Sequence, residues 1–156
     1  MLLVAAGAEN AARFSAVLAG DIVPKKKPAP DIYRLVLDRL GADPSHTLVI
    51  EDSRNGLEAA IGAGLTCIIT VNGYTEREGF DEAALVLSHL GDPAEPMRVL
   101  ANRSAARPEG YLRVADLAAC LPRDILTSNI LTGSTLPSDT LPSNTHAPAL
   151  QAGGHR

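Results

Sequence analysis

The feature that most constrains the fold is a pair of apolar, β-rich runs with a short helical pattern between them. The runs extend from Thr47 to Ile50 and from Thr66 to Val71. A strand that is apolar on successive residues is buried on both faces, which is typical of parallel sheets. The helical pattern ends at Gly64, a natural helix stop. Strand, helix and strand in this order predict a βαβ unit with a right-handed crossover, and hence a doubly wound α/β domain.

Further patterns extend this alternation in both directions. The short apolar run from Ala16 to Ala19 predicts another strand. From Asp31 the apolar spacing is helical, and Gly41 is placed to end that helix. The outlying patterns predict a helix within 1–14, a strand from Ala84 to Leu87 and a last helix from Tyr111 to Leu121.

The chain changes character towards its C-terminal end. From Asp124 onward it is dominated by Ser, Thr, Pro, Asn and Leu and shows no periodicity. Such a composition favours disorder over a packed core. The sequence therefore predicts a partial core domain over 1–121 and a disordered tail over 122–156, with a packed extension as the alternative.

Charge and cysteine content narrow the class of protein. The chain has 156 residues and a formal net charge of -4 at pH 7, which argues against nucleic acid or an anionic membrane as a partner. Cys67 and Cys120 are far apart, and they indicate neither a disulfide framework nor a zinc site. The apolar N-terminal stretch is too short for a secretory leader, and no run approaches the length of a membrane span. We therefore expect a cytoplasmic protein.

Two adjacent carboxylates follow the first buried run. Glu51 and Asp52 stand where this strand should end and a helix should begin. Ligands of open parallel sheets bind at the carboxyl ends of strands, and carboxylate oxygens suit Mg²⁺. The alternative is an acidic pair that only stabilises the start of the helix through its dipole.

A lysine precedes these carboxylates in a stretch stiffened by proline. Lys27 lies between Lys26 and Pro28, and the prolines hold the local backbone extended. A lysine held near a strand end can neutralise a phosphate or a carboxylate nucleophile. The alternative is an ordinary surface lysine, which is our interpretation of Lys25 and Lys26.

Taken together, these features resemble the haloacid dehalogenase (HAD) superfamily. The resemblance is carried by Asp21, Lys27, the run from Pro28 to Tyr33, the run from Glu51 to Leu57, and Ala59-Ala60 with Ala63-Gly64. It is closest to the subgroup of CbbY-type sugar-phosphate phosphatases, β-phosphoglucomutases and phosphoglycolate phosphatases. It implies a partial Rossmann-like core with a parallel sheet and flanking helices.

The resemblance also implies roles for individual residues. Lys27 matches the lysine that steadies the nucleophile and the transferred phosphoryl group. Asp52 matches the acidic ligand of Mg²⁺, and Glu51 matches its neighbour, which binds the metal directly or through water. Ser53 and Asn55 match positions that shape the metal loop near the phosphate. The implied substrate is a small phosphorylated metabolite, such as a sugar phosphate.

The sequence departs from the family at its first motif. No Asp-x-Asp pair occurs in the 156 residues, and Asp21 has no second aspartate two positions away. In the family this motif supplies the nucleophile, which forms an aspartyl-phosphate, and the general acid/base. A cap domain follows the motif, and its segment is absent as well. We therefore expect a chain that is inactive alone, with an apolar sheet edge where the first-motif strand would lie. The alternatives are a non-catalytic protein that binds metal or phosphate, and a fragment completed by a partner chain.

Overall fold

The protein forms a mixed four-stranded sheet flanked by helices. The computed structural model describes residues 9–10 and 12–122. The strands are β1 (Leu48–Glu51), β2 (Thr66–Thr70), β3 (Leu85–Leu87) and β4 (Val99–Asn102), and they lie in the order β1-β2-β3-β4. The first three are mutually parallel, whereas β4 runs antiparallel to β3.

Three helices accompany the described strands. They are α1 (Asp31–Leu40), α2 (Arg54–Gly62) and α3 (Val114–Cys120), with short 3-10 turns at Gly20–Ile22 and Pro44–His46. Helix α1 ends at Gly41 in the left-handed conformation (φ 58°), which glycine adopts without steric cost. Helix α2 is the crossover between the parallel strands β1 and β2.

The core has two parts because neighbouring strand residues point to opposite faces of the sheet. Cys67 and Ile69 contribute to one cluster, whereas Ile68 contributes to the other. Residues of α1 and α2 pack on the first cluster, and residues of α3 pack on the second. The sheet is therefore covered on both faces, and the predicted α/β class is confirmed.

One sequence expectation about the sheet was wrong. Residues 16–19 do not form a strand, because no strand of the described chain lies beside them to accept their hydrogen bonds. The sheet is predominantly parallel, as predicted, and the antiparallel β4 extends it beyond β3. The β-rich runs before α2 and after it are strands, as predicted, with bounds that differ by one residue.

Other predictions fall partly or wholly beyond the described residues. Residues 9 and 10 are helical. Most of the helix predicted within 1–14 falls on residues that the structure does not describe. The predicted tail lies outside it from residue 123 onward. Among the described helices, none has the length and apolar character that crossing a membrane requires.

Candidate active site

The candidate site lies at the carboxyl end of β1. The strand ends at Glu51, Asp52 follows, and Ser53 caps the start of α2. This is the turn from a parallel strand into its crossover helix, where open α/β sheets bind ligands. Lys27 reaches the same place from the segment before α1.

Lys27 and Glu51 form an ion pair across 24 residues of sequence. The Lys27 ammonium contacts Oε1 of Glu51. The Lys27 side chain is 38% exposed and that of Glu51 is 11% exposed, so the pair lies at the boundary between core and solvent. The structure thus joins two of the residues that the sequence singled out.

Tyr33 completes this cluster and was not singled out as a site residue from sequence. Its hydroxyl donates a hydrogen bond to the same Oε1 of Glu51. Its ring lies under the Lys27 ammonium, with Nζ 5.1 Å from the ring centroid. Burial raises the pKa of Tyr33, and the hydrogen bond and charge of Glu51 raise it further. Tyr33 therefore remains a neutral hydrogen-bond donor.

Gly56 provides the space in which Glu51 lies. The glycine is buried in the first turn of α2, and a Cβ atom placed on it would overlap the Glu51 carboxylate. The backbone N–H of Gly56 donates to the Ser53 hydroxyl at 3.3 Å. The Glu51 carboxylate thus lies against the start of α2, where the helix dipole favours negative charge.

Asp52 and Asn55 are exposed beside this cluster. In the part of the chain that the structure describes, neither side chain makes a hydrogen bond or an ion pair. That part also contains no group of three or more His, Cys, Asp or Glu side chains arranged to hold a metal ion. Glu51 and Asp52 offer two adjacent carboxylates. Two such ligands fit a hard cation that retains several water ligands.

Arg54 anchors α2 to the loop after β2, and sequence reasoning overlooked it. Its guanidinium donates to Glu82 at 2.5 and 2.8 Å and to Glu58 at 2.8 Å. Its backbone N–H donates to the Glu78 carboxylate at 2.6 Å. The hydrogen bonds from Arg54 lower the pKa of Glu82 to about 2. These contacts fix the N-terminal end of α2, and with it the position of the residues that follow β1.

A cleft of about 610 Å³ runs along the free edge of β1. Lys27, Tyr33 and Glu51 line this cleft together with apolar residues of α1 and of the segment 14–18. Within the described residues β1 pairs with β2 alone, and Ile50 is 43% exposed. The ion pair therefore borders an apolar, open sheet edge, as the sequence predicted.

The chain matches one family model over part of its length. Residues 2–64 match the hydrolase family described as haloacid dehalogenase-like hydrolase. The matched segment contains Lys27, Tyr33, Glu51, Asp52 and Gly56. The cluster at the end of β1 thus falls within the region that the family model describes.

Curated relatives extend this likeness. A CBBY-like protein of Arabidopsis thaliana is 52% identical over 89 residues, which are 57% of this chain and 28% of that protein. The protein CbbY (plasmid) of Cupriavidus necator is 46% identical over 113 residues, 72% of this chain and 42% of that protein. A phosphoglycolate phosphatase of Escherichia coli is 43% identical over 68 residues, 44% of this chain and 27% of that protein. The chain thus spans less than half the length of each of these relatives.

Proposed function

Because this chain belongs to the haloacid dehalogenase-like hydrolases and is CbbY-like, we propose that it carries part of the active site of a Mg²⁺-dependent phosphatase. The substrate class that we propose is a small phosphate ester, such as a sugar phosphate. The name of one relative, a phosphoglycolate phosphatase, supports a small phosphorylated metabolite. A cytoplasmic setting belongs to the same proposal, since Cys67 and Cys120 are both free and buried thiols.

One observation carries the proposal: Lys27 and Glu51 meet at the carboxyl end of β1, directly before Asp52. Transfer of a phosphoryl group requires that the charge on its oxygens be neutralised in a fixed geometry. The Lys27 ammonium would bind a phosphate oxygen, while its contact with Glu51 limits the positions that the flexible side chain can adopt.

The carboxylates of Asp52 and Glu51 would hold Mg²⁺, with Asp52 the more accessible of the two. A bound Mg²⁺ supplies further charge neutralisation and orients the phosphate. Glu51 already accepts hydrogen bonds from Lys27 and Tyr33 on Oε1. We therefore assign Asp52 as a direct ligand and Glu51 as a ligand or water-mediated neighbour. Ser53 and Asn55 would shape the loop beside the phosphate.

The first test of this proposal is the binding of Mn²⁺ as a spectroscopic substitute for Mg²⁺. We expect the purified chain to bind Mn²⁺ in competition with Mg²⁺, and Asp52→Asn to weaken binding by at least about tenfold. Asp38→Asn, which neutralises an exposed carboxylate on α1, serves as the matched control and should have no effect. Equal binding by the Asp52→Asn variant would overturn the assignment of the metal site.

The same preparation tests turnover. We expect the 156-residue chain to hydrolyse no p-nitrophenyl phosphate in the presence of Mg²⁺, because it contains no Asp-x-Asp pair. Turnover that Asp52→Ala abolishes would contradict this expectation and would show that another residue acts as the nucleophile.

A second candidate function is one half of a two-chain enzyme, and the open edge of β1 favours it. An unpaired apolar edge is a template for a strand from another polypeptide. In this case the chain alone would bind Mn²⁺ without turnover, and activity would appear only in a complex whose partner carries Asp-x-Asp. Loss of that activity on Lys27→Ala would place the reaction at the cluster described here.

A further inference from the structure

We propose that Tyr33 is a positioning residue that keeps the side chains of Lys27 and Glu51 in fixed positions relative to each other. The inference deepens the proposed function, since it rests on Lys27 being the cation that faces the phosphate. Tyr33 itself would contact neither metal nor substrate. Its effect would pass through the two charged side chains that it touches.

The Tyr33 side chain makes two contacts in this cluster. The Tyr33 hydroxyl donates to Oε1 of Glu51, the atom that also contacts the Lys27 ammonium. The ring centroid lies 5.1 Å from Nζ of Lys27, within the range of a cation–π interaction. One rigid aromatic group thus constrains both members of the ion pair.

The need for such a constraint follows from the lysine itself. An ammonium on a four-carbon stem has many rotamers, and an ion pair near the surface fixes them weakly. The prolines around Lys27 stiffen its backbone, but they leave its side chain free. Tyr33 is held by α1 and packs against the core cluster that contains Cys67 and Leu57. Tyr33 is therefore held in place by the core, and its ring restricts the positions that the Lys27 side chain can adopt.

Competitive acylation of lysine tests this role without any phosphate or metal. A lysine reacts with an acylating reagent only as the neutral amine, so an ammonium held in an ion pair must lose a proton and leave its partner before its nitrogen can attack. The purified chain is treated with a limiting amount of such a reagent at fixed pH, and each lysine is quantified by mass spectrometry. Lys25 and Lys26 are exposed and act as references within the same molecule.

We expect Lys27 to react more slowly than its two neighbours. Tyr33→Phe should raise the relative rate of Lys27 by about fivefold, because Glu51 loses the hydrogen bond that holds it beside the ammonium. Glu51→Gln should do the same, and Tyr33→Phe should add little in the Glu51→Gln background. Tyr33→Leu removes the ring as well and should raise the rate further. Tyr74→Phe is the matched control, since Tyr74 is 97% exposed.

The acylation rates distinguish a positioning role of Tyr33 from a role in packing alone. If Tyr33→Phe lowers the melting temperature but leaves the relative rate of Lys27 unchanged, Tyr33 is only a packing residue and the inference fails. Additive effects of Tyr33→Phe and Glu51→Gln would also overturn it, because the two residues would then act independently. Failure of Mn²⁺ binding would refute the proposed function and would leave this result standing.

Discussion

At the scale of single residues, the candidate site depends on a position without a side chain. Gly56 is buried beneath the Glu51 carboxylate, and a Cβ atom there would occupy the space of that carboxylate. The overlapping atoms belong to the end of a flexible side chain, so an alanine would move Glu51 more easily than it would disrupt the backbone. Helix propensity alone would favour alanine at this position by about 1 kcal/mol, so the glycine is explained by the space that Glu51 needs.

The first prediction is that Gly56→Ala separates Glu51 from Lys27 while the fold persists. The helical gain of about 1 kcal/mol should offset most of the lost contacts, so the melting temperature should change little. The acylation rate of Lys27 should rise as it does in Glu51→Gln. Gly73→Ala is the control, since a Cβ at that position meets no atom within 4 Å. An unchanged Lys27 rate in Gly56→Ala would mean that Glu51 has room to remain in place.

At the scale of elements, the residues at the start of α2 cap the helix and also belong to the candidate site. The Ser53 hydroxyl accepts from the N–H of Gly56, and Glu78 accepts from the N–H of Arg54. These bonds satisfy two of the N–H groups that a helix leaves unpaired at its beginning. Asn55 lies in the same turn, but its exposed side chain makes no bond within the described residues.

Ser53 and Asn55 should therefore differ in their effect on stability. We expect Ser53→Ala to lower the free energy of unfolding by about 1 kcal/mol, because a helix loses its cap. Asn55→Ala should be neutral or slightly stabilising, since alanine has the higher helix propensity. Urea denaturation of both variants measures the difference. Equal losses would show that Asn55 supports the loop through a contact of its own.

The same elements show how far the sequence could predict the fold. The apolar runs before and after α2 and the stop at Gly41 specify β1, β2 and α1, because burial and glycine geometry act locally. Residues 16–19 have the same apolar character, but a strand also needs a partner, which no local pattern reveals. The strand β4 was missed for a related reason. Three of its residues, Val99, Ala101 and Asn102, pair with β3 in an antiparallel register, and the short apolar run gives no sign of that pairing.

The candidate site was predictable to a similar extent. Lys27 and Glu51 stand out by residue type and by their position relative to prolines and strand ends. Tyr33 and Gly56 do not, because their contacts with Glu51 arise only when α1 and α2 pack on the same face of the sheet. The sequence signal for Tyr33 was its rarity, since aromatic residues make up 3% of the chain.

At the scale of the whole molecule, the core covers both faces of β2, whereas the outer edge of β1 is open. Cys67 lies in β2 with 1% of its surface exposed, and it belongs to the cluster beneath α1 and α2. Burial raises the pKa of the Cys67 thiol to about 12, and the charge of Glu51 contributes to the rise. Since the thiolate is the reactive form, this cysteine is almost inert at neutral pH while the core stays closed.

Alkylation of Cys67 should therefore report whether the open edge of β1 loosens the core. We expect iodoacetamide to modify Cys67 at pH 8 only through global unfolding, so its rate should rise with urea as steeply as unfolding measured by circular dichroism. Cys120, at the end of α3, should react faster and provides the comparison within the same molecule. A Cys67 rate that is high without urea and insensitive to it would contradict the closed core. Opening would then begin at β1, and a partner strand on that edge should slow the reaction.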